Sequence, residues 1–201
     1  VKGNEYLDIF PVWDWNRIPG TTAPQLPEIP QAEEWGELGE SDFCGGLSDG
    51  KRGLAGFKMA HKTHGVDVSA YKSWFFMGDE VVCLGSGISS NMPYKVNTTV
   101  EQCLLDGDVV YSKEGQKVSI SNGMEQADQA LDWVWHRNVG YFFPESQKVS
   151  VKVETRSGRW YDINNTQNKN TVSKDVCSIW LNHDELLSDD TYSYILVPGI
   201  K

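Results

Sequence analysis

Four histidines and a scatter of acids are the side chains in this 201-residue sequence that could carry proton or metal chemistry. His61 and His64, in Ala60-His61-Lys62-Thr63-His64, have the spacing that puts two imidazoles on one side of a helical turn. Two ligands fall short of a closed zinc site, so a surface loop is the simpler reading of the pair. His136 and His183 follow aromatic-rich runs with no nucleophile beside them, and each reads as a satisfied core or rim histidine. Asp49, in Ser48-Asp49-Gly50, and the pair Asp189-Asp190 lack calcium-loop spacing and read as turn formers. Glu37 stands in an acidic stretch with Glu33, Glu34 and Glu40 and, taken alone, reads as a solvated acid. No metal site and no cofactor are expected from these patterns.

Eight tryptophans add a second chemistry, because an indole face stacks on the C–H face of a pyranose. Any single tryptophan is nevertheless expected first in the core, where large aromatics dominate. The formal charge of −10 argues against nucleic acid and anionic membranes as partners. An anionic ligand, for the same reason, would need its main electrostatic anchor elsewhere. No apolar run approaches the roughly 20 residues of a membrane-spanning helix, and no charged-then-apolar leader opens the sequence at Val1. The expectation is soluble material whose signal peptide, if any, lies outside it. Cys44, Cys83, Cys103 and Cys177 are widely spaced, so neither a zinc knuckle nor a disulfide framework is expected. Cys83, within Val81-Val82-Cys83-Leu84, reads as an inert buried thiol.

The elements that must position these groups are strands. Ser73-Trp74-Phe75-Phe76-Met77 and Glu80-Val81-Val82-Cys83-Leu84, joined through Gly78-Asp79, form the clearest hairpin. Further strands are expected over 117–120, 131–136, 149–153, 176–181 and 192–197, several of them alternating apolar with polar residues. Met124 to Leu131 has helix-forming composition without an apolar stripe and reads as a loop or a single turn. The proline-rich run Ala23 to Pro30 cannot enter a central sheet and is expected as an extended surface loop. One domain over 1–201, an all-β antiparallel sandwich, follows from this pattern. Both ends read as cut, as in a domain excised from a longer protein.

The order of the motifs supports a family. Val12-Trp13-Asp14-Trp15-Asn16-Arg17-Ile18-Pro19-Gly20-Thr21-Thr22 is followed by Phe43-Cys44-Gly45-Gly46-Leu47-Ser48-Asp49-Gly50. Lys72-Ser73-Trp74-Phe75-Phe76 then runs on to Leu84-Gly85-Ser86-Gly87-Ile88. After these come Thr98-Thr99-Val100-Glu101-Gln102, Val139 to Pro144, Gly158 to Asn164 and Tyr192 to Gly199. In that order the motifs resemble the central domain of the polysaccharide lyases that include chondroitin AC, hyaluronate and xanthan lyases. The Trp13 segment looks nearest to the chondroitin AC members.

The resemblance implies a large multi-sheet antiparallel sandwich of the galactose-mutarotase-like supersandwich type. In whole lyases it follows an α/α toroid, and a smaller β domain comes after it. It implies β-elimination on an acidic, glycosaminoglycan-like polysaccharide, with the Tyr, His, Asn and Arg of the chemistry carried by the toroid of the same parent chain. Secreted or periplasmic localisation goes with such a substrate. The sandwich of these lyases sends one glutamate into the cleft to orient a toroid arginine, and on the pattern Trp-Gly-Glu it matches Glu37, after Trp35 and Gly36. Trp35, Glu40 and Ser41 are the substrate-facing candidates of this loop, although Glu40 and Ser41 stand where close members often place an asparagine. A noncatalytic carbohydrate-binding or scaffold module is the alternative. A freestanding mutarotase-like epimerase would need its own acid–base pair, and none is visible.

Overall fold

Runs of β-branched and aromatic residues, broken every few positions by Gly, Asn or Asp, favour short strands joined by tight turns. The computed structural model describes residues 6–30 and 38–200. In chain order the strands are β1 (Thr22–Pro24), β2 (Cys44–Ser48), β3 (Gly53–His61), β4 (Val68–Phe76), β5 (Val81–Ser89), β6 (Val96–Leu104) and β7 (Val109–Lys113). They continue as β8 (Gln116–Ile120), β9 (Met124–Gln129), β10 (Trp133–His136), β11 (Val139–Phe142), β12 (Val149–Arg159), β13 (Thr171–Asn182) and β14 (Asp190–Pro198). A five-stranded sheet, β1-β6-β13-β12-β9, faces a nine-stranded sheet, β2-β3-β4-β5-β14-β11-β10-β7-β8. Every strand pairing is antiparallel. The expected sandwich is therefore the observed fold.

The expected hairpin is β4–β5. Its turn is closed by Met77 N donating to Glu80 O at 2.9 Å, with Gly78 at φ +87. Between the sheets, alternation does the packing: Val149, Val151 and Val153 of β12 and Cys177, Ile179 and Leu181 of β13 are buried against Val134, Tyr141 and Tyr194. All four cysteines are free thiols, and Cys83 is buried as expected.

Residues 8–17 lie over the outer face of the five-stranded sheet and form a second, small core in which Ile9 and Val12 meet Val176. Gln102 of β6, 2% exposed, clamps this strap. Its Oε1 accepts from Asp14 N at 2.7 Å, and its Nε2 donates to Arg17 O at 2.6 Å and Asp14 O at 3.1 Å. The Arg17 guanidinium then sits 4.4 Å over the Trp180 ring, a cation–π contact that covers the sheet face. Gly158 is required where the strap crosses β12, because a Cβ there would stand 1.7 Å from Pro11 O. Two motifs far apart in sequence, around Trp13 and around Gly158, are thus one packing unit.

Several expectations are corrected. Met124 to Gln129 is neither loop nor helical turn but β9, an edge strand paired with β12. Its helix-forming composition yields to a ladder that β12 leaves open. Ala23 and Pro24 are not loop but part of β1, at the edge of the five-stranded sheet, where a missing N–H costs no central bond. The strand expected over 131–136 begins only at Trp133. Among the described tryptophans only Trp180 is buried, while Trp13, Trp74, Trp133, Trp135 and Trp160 are half-buried and Trp15 is 45% exposed. The gap between the sheets is filled largely by valine, isoleucine and tyrosine, which leaves most of the indoles to the margins and outer faces.

His136 is 1% exposed, with Nδ1 at 3.5 Å from Cys103 Sγ and Nε2 accepting from Asp106 N at 3.2 Å, so it is held as a neutral ring. Burial, with the Arg137 guanidinium alongside, pulls it down to about 4. The unfolded chain takes up that proton near the ordinary value of 6.5 and the folded chain does not, so stability is full above this value and falls as pH drops toward 4. His183, also lowered by burial, acts in the same direction, whereas Glu101, raised by burial, opposes it. Urea titrations should show His136 contributing a loss of about 3 kcal/mol across this window. In His136→Gln the slope between pH 6.5 and 4 should flatten. An unchanged slope would mean that the ring is not held neutral.

Candidate functional site

The chain enters and leaves the segment carrying Trp35 and Glu37 at one and the same end of the sandwich. Trp35 and Glu37 themselves lie outside the described residues. On the upstream side, Gln25 N donates to Lys95 O at 2.9 Å and Asn16 Nδ2 to Leu26 O at 2.9 Å. On the downstream side, Glu40 N donates to Ala60 O at 3.2 Å, and Lys58 N donates to Phe43 O at 3.1 Å, extending the β2–β3 ladder. The antiparallel order of β3 through β6 puts Ala60 and Lys95 on the same rim, together with the β3–β4, β5–β6 and β13–β14 turns.

Hydrogen bonds tie the turns of that rim to one another. Asp67, in the β3–β4 turn, accepts from Asn91 Nδ2 at 2.8 Å through its carboxylate and from Ser90 Oγ at 2.6 Å through its carbonyl. Ser90 N donates to Leu187 O at 2.9 Å and Leu186 N to Met92 O at 3.2 Å, which ties in the β13–β14 turn. Ser90 is 2% exposed, so its hydroxyl works between turns rather than in solvent. A platform of this kind can hold a loop in one place against a neighbouring surface.

Of the singled-out residues, Glu40 is exposed beside the end of β3, and Ser41 is half-buried, its Oγ accepting from Phe43 N at 3.3 Å. His61 and His64 stand on the same rim with ring centroids 6.4 Å apart and planes at 29°. His61 ends β3 and His64 has φ +53, so the pair belongs to a turn between strands and not to a helix. Asp49 Oδ1 accepts from Lys51 N and Arg52 N at 2.8 and 2.6 Å, a capped turn as expected. Among the described residues no group of three or more His, Cys, Asp or Glu could hold a metal ion.

Sequence reasoning missed two groups of polar residues. Beneath the rim, Lys72, Thr22, Thr98 and His183 are buried in contact with one another, and Asp190 meets His183. Burial pulls the Lys72 ammonium down to about 8. Its apolar neighbours in Ala70-Tyr71-Lys72-Ser73-Trp74 and the alternation of β4, which points 72 inward with 68 and 70, were the available signal. Elsewhere, Tyr141 hydroxyl donates to Glu101 Oε2 at 3.0 Å in a cleft also lined by Trp13, Cys103, His136 and Arg137. Burial raises the Glu101 carboxyl, pushes Cys103 up to about 12 and holds the Tyr141 phenol far above its ordinary value. The Cys103 thiol and the Tyr141 phenol therefore keep their protons, while both Glu101 carboxyl oxygens are already engaged, Oε2 by Tyr141 and Oε1 by Gln102 N at 2.9 Å.

Known proteins share this fold. A family model described as polysaccharide lyase family 8, super-sandwich domain, matches residues 1–201. Chondroitinase-AC of Pedobacter heparinus is 38% identical over 205 residues, which is 100% of this chain and 28% of that protein. Hyaluronate lyase of Thermasporomyces composti is 32% identical, covering 98% of this chain and 26% of the relative. A solved chondroitinase AC lyase superimposes with a TM-score of 0.89 at 37% identity, over 98% of this chain and 29% of the other. The chain thus spans under a third of the length of these relatives.

The rim's rigidity is testable at Ser90. Ser90→Ala strands the Asp67 carbonyl and should cost about 1–3 kcal/mol in urea unfolding. Amide exchange should rise locally at Asp67 and Met92 while the β12–β13 pair stays protected. Uniformly raised exchange, or none, would count against a rim locked by this hydroxyl.

Proposed function

This chain belongs to polysaccharide lyase family 8, as its super-sandwich domain, and from that premise we propose that it forms one wall of the substrate cleft of a uronic-acid polysaccharide lyase. The observation that carries the proposal is that the described residues on either side of the Trp35-Gly36-Glu37 motif are held on one rim, Gln25 N by Lys95 O and Glu40 N by Ala60 O. Polysaccharide of the chondroitin or hyaluronan type is the substrate, cleaved by β-elimination. A donor quiets the uronate carboxylate, a base removes the proton at C5, and an acid protonates the leaving oxygen of the 4-linked sugar. Those groups come from an α/α toroid in the same polypeptide. Glu37 enters from this domain and holds a toroid arginine in place through a charge-assisted pair, with Trp35, Glu40 and Ser41 towards the sugar.

Two further features support the reading. With a net charge of −10, this domain cannot itself be the anchor of an anionic polymer, which fits cationic residues supplied by another domain. β2 is exposed along its whole length, and Leu47 and Leu54, paired on one face, are 72% and 43% exposed, a surface suited to a neighbouring domain. A polymeric substrate places the parent enzyme outside the cytoplasm, secreted or periplasmic.

The 201-residue chain alone should release no unsaturated uronide from chondroitin or hyaluronan, as followed by ultraviolet absorbance of the conjugated product. In the full-length enzyme, Glu37→Gln should slow turnover about ten- to a hundredfold, the worth of one charge-assisted hydrogen bond in the transition state. Glu40→Gln, which removes the same charge three residues away, should do much less. Product formation by the isolated chain, or parental turnover in Glu37→Gln, would overturn the assignment.

A further inference from the structure

The outer face of the nine-stranded sheet carries an aromatic groove where β7, β8, β10 and β11 lie side by side. Val134 of β10 and Tyr141 of β11 point into the core, so Trp133, Trp135, Gly140 and Phe142 point outward. Across the ladder Trp133 stands between Phe142 and Ser112, and Trp135 between Gly140 and Val110. The groove encloses about 450 Å³, within the range of small-ligand sites, and the cleft assignment makes no use of it.

Its shape is held in place by the fold. Gly140 leaves the space that the Phe142 ring and Ile200 occupy, since a Cβ there would stand 2.8 Å from the ring and 3.1 Å from the Ile200 side chain. Trp135 Nε1 donates to Ile200 O at 3.0 Å, which fixes the tilt of that indole. Both tryptophans are half-buried, so part of each ring stays uncovered. Lys117, exposed on β8, holds its ammonium 5.6 Å from the centroid of the Trp133 ring.

Two properties decide what fits such a groove. Indole and phenyl rings on one sheet face offer flat apolar surface, which takes the C–H face of a pyranose. Among the described residues lining the groove, Lys117 is the only charged one and none is acidic, although the whole chain carries −10. An anionic ligand therefore meets a cation here without an acid beside it. A protein partner packed over the same face would have to bury that ammonium, whereas a sugar in an open groove leaves it partly in water.

We propose that this groove is a second saccharide site, taking a uronate-bearing unit with its ring against Trp133, Trp135 and Phe142 and its carboxylate on Lys117 Nζ. The choice of uronate rests on the substrate class given above. Gly140 and Phe142 pair with Val197 and Ile195, towards the end of β14 away from the rim, so the groove is separate from the candidate loop. A polymer held there by one stretch presents another stretch to the cleft at a raised effective concentration.

The test is binding to the 201-residue chain, so its failure stands apart from a failure of the cleft assignment, which is read from turnover. An unsulfated chondroitin hexasaccharide should shift the indole N–H resonances of Trp133 and Trp135 with a Kd on the order of 1 mM. Lys117→Met should weaken binding about two- to fivefold, and Trp133→Ala about three- to tenfold. The same hexasaccharide with its carboxyls reduced to alcohols should bind the unaltered chain as weakly as the acid form binds Lys117→Met, and Lys117→Met should not tell the two sugars apart. In the full-length enzyme Lys117→Met should raise KM for polymeric chondroitin by a similar factor of about two to five, with kcat changed less than about twofold. No shift at either indole, or equal affinity of the unaltered chain for acid and reduced sugars, would overturn the proposal. An unchanged KM would show that another part of the enzyme covers this face, and would overturn it equally. If Trp133→Ala does not fold, Lys117→Met and the reduced sugar decide the matter.

Discussion

Two sheets packed through valines can slide over one another at little cost; polar side chains that must find one partner across the gap cannot. Tyr141 of the wide sheet reaches Glu101 of the narrow one at 3.0 Å, and Tyr111 reaches Gln126 at 3.0 Å. Lys72 reaches Thr22, and Asp190 reaches His183. Each buried group left without its partner costs about 1–3 kcal/mol, whereas the apolar burial around it is non-directional. These cross-links therefore set the register between the sheets, and with it the relative positions of the turns that make the rim.

The second constraint is the unequal width of the sheets, five strands against nine. β1, the edge of the narrow sheet, lies against β4, so β2 and much of β3 extend past it. There the alternation of the sequence stops describing an inside and an outside, since Leu47 and Leu54 point to one face and Phe57 to the other and all three are exposed. The chain from the candidate loop enters at this overhang, through Glu40 and Phe43. The least enclosed part of the fold is thus continuous in sequence with the candidate loop.

The N-terminal strap shows how one motif can look chemical and act structurally. Trp13-Asp14-Trp15 has the composition of a sugar platform, yet its backbone is clamped by Gln102 and its Arg17 closes over Trp180. The strap completes the outer face of the narrow sheet and delivers the chain to Gly20 and Thr22, where Lys72 takes hold of it.

The sequence by itself determined the strand content, the β4–β5 hairpin, the sandwich class, the inert Cys83 and the order of motifs that marks the family, because alternation, turn residues and motif order are local properties of a chain. It determined less where the outcome depended on a partner remote in sequence. Met124 to Gln129 became a strand because β12 offered an edge, and Ala23-Pro24 became one because β6 did. Tryptophans expected inside lie mostly at margins, because the strap and the unequal sheets, neither of which is a local property, decide what is covered. The Trp35-Gly36-Glu37 motif was legible in the sequence, whereas the rim that holds the described residues on either side of it, at Gln25 and Glu40, was not. Ser90, Asp67 and Leu187 carry no signal of each other in sequence, and neither do Lys72, Thr22, Thr98 and His183, whose meeting requires four strands and a turn to be in place first.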